Sequence, residues 1–99
     1  MGQANYEALA RENEYFRRVL ETGEHAQLVV MTIQPDEEIG EETHQGDQIL
    51  FFVEGEGKAV LEGESSPVSS GEYVFVPAGT LHNFVNTGSE PLRLLTTYA

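Results

Sequence analysis

Residues 71–86, GEYVFVPAGTLHNFVN, spell out a hairpin. Glu72–Val76, EYVFV, has the β-branched and aromatic make-up of a strand. Pro77-Ala78-Gly79-Thr80 is a turn, and Gly79 can adopt the left-handed backbone that a tight turn demands. Leu81–Asn86 resumes as a strand, and His82 opens it. An imidazole therefore stands beside a tight turn at the end of a strand.

The same punctuation runs outward in both directions. Downstream, Thr87-Gly88-Ser89-Glu90-Pro91 is a turn and Leu92–Tyr98, LRLLTTY, is the last strand. Upstream, Gly63-Glu64-Ser65-Ser66-Pro67 is a turn, and Ser69-Ser70-Gly71 precedes the Glu72–Val76 strand. Gly55-Glu56-Gly57 is another, with a strand at Lys58–Glu62, KAVLE. Strands are expected at Gln48–Glu54, near Ile39–His44, and at Gln27–Ile33, QLVVMTI. Tyr15–Glu21 fits either period and is read as a strand, because Thr22-Gly23-Glu24 would close a hairpin with Gln27–Ile33. Ala4–Glu12 carries Tyr6, Leu9 and Ala10 at helical spacing, with Asn5 as its cap. Such a helix is too short to persist unless it packs on something. Many short strands at regular spacing predict an all-β sandwich or barrel. With 99 residues there is room for one core. The expected organisation is a single domain, with residues 1–14 as a helical segment and 15–98 as the barrel.

The stretch from Gly40 to Gly55, GEETHQGDQILFFVEG, gathers chemistry. Glu42 and His44 lie two apart, so on an extended strand they point to one face. Gln48 follows a short polar break. A barrel can place this segment opposite the hairpin bearing His82. A carboxylate oxygen, two imidazole nitrogens and an amide oxygen are all usable donors to a divalent ion.

These two segments resemble the cupin family. Its second motif, Gly-x5-Pro-x-Gly-x2-His-x3-Asn, is matched at every fixed position by Gly71, Pro77, Gly79, His82 and Asn86. Its first motif is matched in part. His44 and Gly55 stand in place, while Glu42 replaces the first histidine, Gln48 the glutamate and Asp36 the opening glycine. The resemblance covers residues 26–98 and implies a conserved-barrel (type 2) cupin, a double-stranded β-helix or jelly roll. The pattern EEIGEETH with DQ following is similar to a mannose-6-phosphate isomerase-like subgroup. By motif position that likeness implies Glu42, His44, Gln48 and His82 as metal ligands.

The donor set resembles a two-histidine, one-carboxylate arrangement with an added weak oxygen, suited to one divalent transition metal: Fe, Mn, Ni, Co or Zn. Each residue has a plainer reading. Glu42 and His44 could be a surface hydrogen-bonded pair, His82 a structural histidine at a turn, and Gln48 an amide serving barrel backbone. His25 reads as a half-exposed sheet residue that could line the mouth, Asp47 as a turn residue, and Tyr15, Tyr73 and Tyr98 as core or interface. The serines lack a nucleophile-elbow pattern, which leaves acyl transfer unsupported.

Composition narrows the partners. Seventeen acidic against five basic residues give a net charge of −12. That charge opposes binding to nucleic acid and to anionic membranes. Cysteine is absent, so there is neither a disulfide nor a thiolate site. The polar, acidic N-terminus is no signal peptide, and Tyr6 occupies the place where a myristoylation signal needs Ser or Thr. A cytoplasmic protein is expected. Leu28, Val30, Leu50 and Phe52 are assigned to one face, and Val29, Met31, Ile49, Phe51 and Val53 to the other. Both faces are apolar and one short helix covers little, so a homodimer is expected. The expected function is metal-dependent chemistry on a small organic molecule, of isomerase or oxygenase type. The alternative is a binding or storage cupin without turnover. Sugar-phosphate isomerisation is disfavoured because none of Arg11, Arg17, Arg18, Lys58 and Arg93 lies in the motifs.

Overall fold

The computed structural model describes residues 2–99. One helix, α1 (Tyr6–Glu12), precedes eight strands: β1 (Arg17–Thr22), β2 (Gln27–Ile33), β3 (Gln48–Glu54), β4 (Glu56–Leu61), β5 (Glu64–Ser69), β6 (Tyr73–Val76), β7 (His82–Asn86) and β8 (Leu92–Tyr98). They form two antiparallel sheets, β1-β2-β8-β3-β6 and β5-β4-β7, the two halves of a jelly-roll barrel. Between them lies the core of Val29, Met31, Ile33, Leu50, Phe52, Leu92 and Leu94 from the large sheet, with Val76, against Ala59, Val68 and Phe84 from the small one.

Register decides which residues face this core. Met31 and Phe52 both stand opposite Leu94, one from each neighbouring strand. Val29 and Met31 therefore share the inner face with Leu50 and Phe52. This corrects the expected grouping of Leu28 and Val30 with Leu50 and Phe52. Alternation within each strand is as expected, but its phase across strands depends on a register that composition does not contain.

The outer face holds a second cluster, Val30, Val53 and Leu95, on which α1 lays Ala10, with Leu20 and Leu28 at its edge. Asn5 caps the helix, its side chain accepting from Ala8 N at 2.9 Å. Past the helix, buried Asn13 and Thr32 bind each other twice: Asn13 Nδ2 donates to Thr32 Oγ1, and Thr32 Oγ1 to the Asn13 carbonyl, both at 2.9 Å. Arg93 donates to the Asn13 carbonyl at 2.6 Å and pairs with Glu54 at 3.1 Å, placing a cation at the helix C-terminus. The helix thus covers part of the outer face, by docking rather than by intrinsic stability.

Two further expectations are corrected. Residues 63–67 are not a turn. The turn is Glu62-Gly63, both with positive φ (49° and 81°), the two-residue type that matches strand twist. β5 starts at Glu64 as an edge strand in which Val68 alone is buried, so it lacks apolar alternation and tolerates Pro67. Residues 39–44 form no strand. Within them only Glu42 makes an isolated bridge, with His82, and Glu38 just before them makes another with Val85. Positive φ at Asp36 (67°) and Gly40 (104°) breaks the pleat on either side of Ile39. Asp36 occupies the position where the cupin motif has glycine, and Asp is among the few residues that tolerate this conformation.

Candidate metal centre

The segment leading to β3 is strapped to β7 rather than woven into a sheet. Glu42 N donates to the His82 carbonyl and His82 N to the Glu42 carbonyl, each at 3.0 Å. Gly79 N donates to the His44 carbonyl at 2.8 Å, and Ala78 N to Asp47 Oδ1 at 2.9 Å. The 77–80 turn thus holds both His44 and Asp47, and Asp47 serves the backbone as a turn residue should. Gly79 has φ +79° in this turn, which favours glycine there.

These straps bring three predicted residues together. The donor atoms of Glu42, His44 and His82 all lie within 4.8 Å of one another, so the group can hold a metal ion. Glu42 Oε1 is 3.2 Å from His44 Nε2 and 3.7 Å from His82 Nε2. The His44 and His82 rings stand 5.3 Å apart. Burial grades across the group: the His82 side chain is 1% exposed, His44 30% and Glu42 35%. The site is a mouth with one fully enclosed wall.

His82 is oriented for coordination. Its Nδ1 lies 2.8 Å from the Thr80 carbonyl. A carbonyl can only accept, so Nδ1 carries a proton, and in the neutral imidazole Nε2 then holds the lone pair. That Nε2 is buried and has no hydrogen-bond partner. Fixing one ring nitrogen on backbone while the other faces the site is the usual outer support of a ligating histidine.

Gln48 repeats the pattern on the large sheet. Its Nε2 donates to Thr96 Oγ1 at 3.0 Å, and Thr96 Oγ1 donates to the Ile49 carbonyl at 3.0 Å. The amide is thereby oriented, and its Oε1 is buried without a partner. Buried polar atoms are nearly always satisfied, so two orphan acceptors in one barrel call for a cation or water. Both are electron-pair donors, as a metal requires. The residues present fit a divalent ion.

Tyr98 is the site residue that sequence reasoning left among core and interface positions. It stands opposite Gln48 on one side and Gln27 on the other. Its ring meets the His44 ring edge-on at 5.0 Å. Burial raises its phenol pKa above the ordinary value, Glu42 raises it further, and nearby Arg17 opposes both. The phenol is a neutral donor at neutral pH. Only its alternation with Thr96 and Leu94 on β8 could have signalled this position. Asn86, a fixed motif residue, is structural: its Nδ2 donates to the Ile33 and Glu90 carbonyls, each at 2.8 Å. His25 is not a sheet residue, though it lines a shallow depression with Gln27 and Tyr98. It sits in the β1–β2 turn, before β2 begins at Gln27, with its side chain 89% exposed. A surface depression of about 640 Å³ lies at the other end of β3 and β8, around Glu54, Pro91 and Arg93, remote from the histidines.

A small jelly-roll barrel with an inward histidine–carboxylate cluster at its mouth is the architecture of a cupin, and the chain belongs to the Cupin domain family, whose profile matches residues 29–98. It is 38% identical to YrkC of Bacillus subtilis over 96% of this chain and 55% of YrkC. An acireductone dioxygenase from Parvibaculum lavamentivorans is 30% identical over 82% of this chain and 53% of its own length. The chain spans about half the length of these curated relatives. The crystal structure of BH2720 from Bacillus halodurans superposes with a TM-score of 0.96 at 38% identity, over 99% of this chain and 80% of that one. The mannose-6-phosphate isomerase-like subgroup is not singled out by these matches.

Proposed function

We propose that residues 1–99 form one cupin unit in which Glu42, His44, His82 and Gln48 hold a single divalent transition metal for chemistry on a small organic molecule. The observation that carries this reading is the pair of buried, partnerless acceptors, His82 Nε2 and Gln48 Oε1, in a barrel whose mouth also holds Glu42 and His44. Bound there, such an ion would supply Lewis acidity or oxygen chemistry. The chain's own residues do the rest. Thr80 and Thr96 hold His82 and Gln48 in donor-ready orientations. Phe84 and Phe52 close the barrel behind His82 and keep bulk water out. Tyr98 offers a neutral hydroxyl donor beside His44.

Of the two reaction types, oxygenase chemistry is favoured over isomerisation. Two imidazoles and one carboxylate match the donor set of non-haem iron oxygenases, and the likeness to an acireductone dioxygenase points the same way. A cytoplasmic site of action suits a chain without cysteine. We also propose a homodimer. Ile49 stands opposite Phe75 and Phe51 opposite Tyr73 on the outer face of β3 and β6, where Phe51, Tyr73 and Phe75 remain exposed beside half-buried Ile49.

The test is elemental analysis of protein purified without chelator or histidine tag, followed by turnover assays with each of the five metals. One bound ion with metal-dependent oxygen uptake supports the enzyme. A bound ion with tight ligand binding and no turnover would make it a binding cupin instead.

A further inference from the structure

With a net charge of −12, the placement of each cation carries weight. Arg11 is paired with Glu7 at 3.2 Å and Arg93 with Glu54 at 3.1 Å. Arg18 stands opposite Val30, which belongs to the outer cluster. Lys58 is exposed between the buried Gly57 and Ala59 of β4 and so points away from the core. Arg17 differs from all four. Its partner on β2 is Met31, a core residue, so Arg17 shares the concave face of the sheet. Among the described residues it is the only Lys or Arg on that face, and none of their carboxylates lies within 4 Å of it.

The guanidinium is held toward the mouth. Arg17 Nη2 donates to Gln27 Oε1 at 3.0 Å, and its central carbon lies 5.8 Å from the centre of the Tyr98 ring. That ring in turn lies 5.0 Å from the His44 ring. Gln27, Tyr98 and Gln48 stand in one row across the sheet, so the cation and the candidate metal centre share the same concave mouth. A positive charge there with no carboxylate in contact, on an otherwise strongly acidic protein, favours an anionic group at that point of the mouth. A planar guanidinium matches a carboxylate in a forked geometry. A phosphate dianion would call for further basic side chains, and among the described residues the concave face offers none.

We propose that Arg17, braced by Gln27 and Tyr98, binds a carboxylate at the end of the ligand remote from the metal, so that the site takes a small organic acid. This rests on the metal-dependent reading given above.

The experiment uses cobalt(II)-loaded protein and follows the visible cobalt spectrum during titration with succinate or butyrate at fixed ionic strength. The two probes share a chain length and a metal-binding carboxylate, and only succinate has a second one. Wild type should prefer succinate by at least about fivefold, the scale of one partly exposed charge-assisted hydrogen bond. Arg17→Gln should abolish the preference while leaving cobalt content unchanged. Arg18→Gln, which removes an equal charge from the outer face, should retain it. Equal succinate preference in wild type and Arg17→Gln overturns the role of Arg17 while leaving the metal centre standing. Inorganic phosphate displacing succinate at lower concentration overturns the carboxylate assignment. Protein that takes up no cobalt overturns the metal-dependent reading and this proposal with it.

Discussion

Single side chains in this barrel carry more of the chemistry than any contiguous motif does. Gln48 is the clearest case. A carboxylate in its place would be buried and would lose the donation to Thr96, at a cost of a few kcal/mol without metal. It would also bind a divalent ion more tightly. Gln48→Glu should therefore melt about 5 °C or more below wild type in chelator, while the gap between metal-saturated and metal-free protein widens, as mass-action stabilisation requires. Paired melting curves check both signs, and an unchanged gap would make Gln48 a structural amide. Backbone geometry sets a second prediction. Gly55 has φ +97°, and a Cβ there would lie 2.6 Å from the Pro91 carbonyl oxygen. Gly55→Ala should lose about 2 kcal/mol or more in denaturant titration. At this scale the sequence was most informative: Glu42, His44 and His82 are named by residue type and spacing, and the structure gathers all three. Tyr98 and Arg17 were not legible as site residues. Register sets both: Tyr98 lies opposite Gln48, and Arg17 lies opposite Met31 on the concave face, where Gln27 and Tyr98 hold its guanidinium toward the mouth; such partnerships are not contained in composition.

Among the elements, legibility followed burial. β2, β3 and β8 were readable because buried strands must be apolar. β5 was not, since an edge strand with one buried residue looks like a polar loop. The 39–44 segment misled for the opposite reason. Its residues suit a strand, but left-handed breaks at Asp36 and Gly40 convert it into a strap whose few backbone bonds set Glu42 against His82. α1 has only seven residues and depends on its anchors. Asn13→Ala removes the hydrogen bonds that its side chain makes to Thr32 and Tyr15, leaving buried Thr32 less satisfied. It should lose about 1–3 kcal/mol. Amide exchange should speed up in residues 6–13 while β2, β3 and β8 stay protected. Equal loss of protection everywhere would show that helix and barrel unfold as one unit.

The outer face of the large sheet is unevenly covered. α1 covers Val30, Val53 and Leu95, while Phe51, Tyr73 and Phe75 beside it stay exposed, Tyr73 at 70%. Sedimentation at micromolar concentration should give a dimer, and Phe75→Glu should give a folded monomer. A wild-type monomer would leave this block unexplained by self-association. No helix among the described residues is long and apolar enough to cross a membrane. The account as a whole depends on the cluster at the mouth holding an ion, with His82 its most buried donor. Equilibrium dialysis of wild type and His82→Ala against zinc or cobalt tests this most directly, with circular dichroism confirming that both remain β proteins. The account predicts about one ion per wild-type chain and loss of most of that binding in His82→Ala. Full retention of the ion by folded His82→Ala would contradict it.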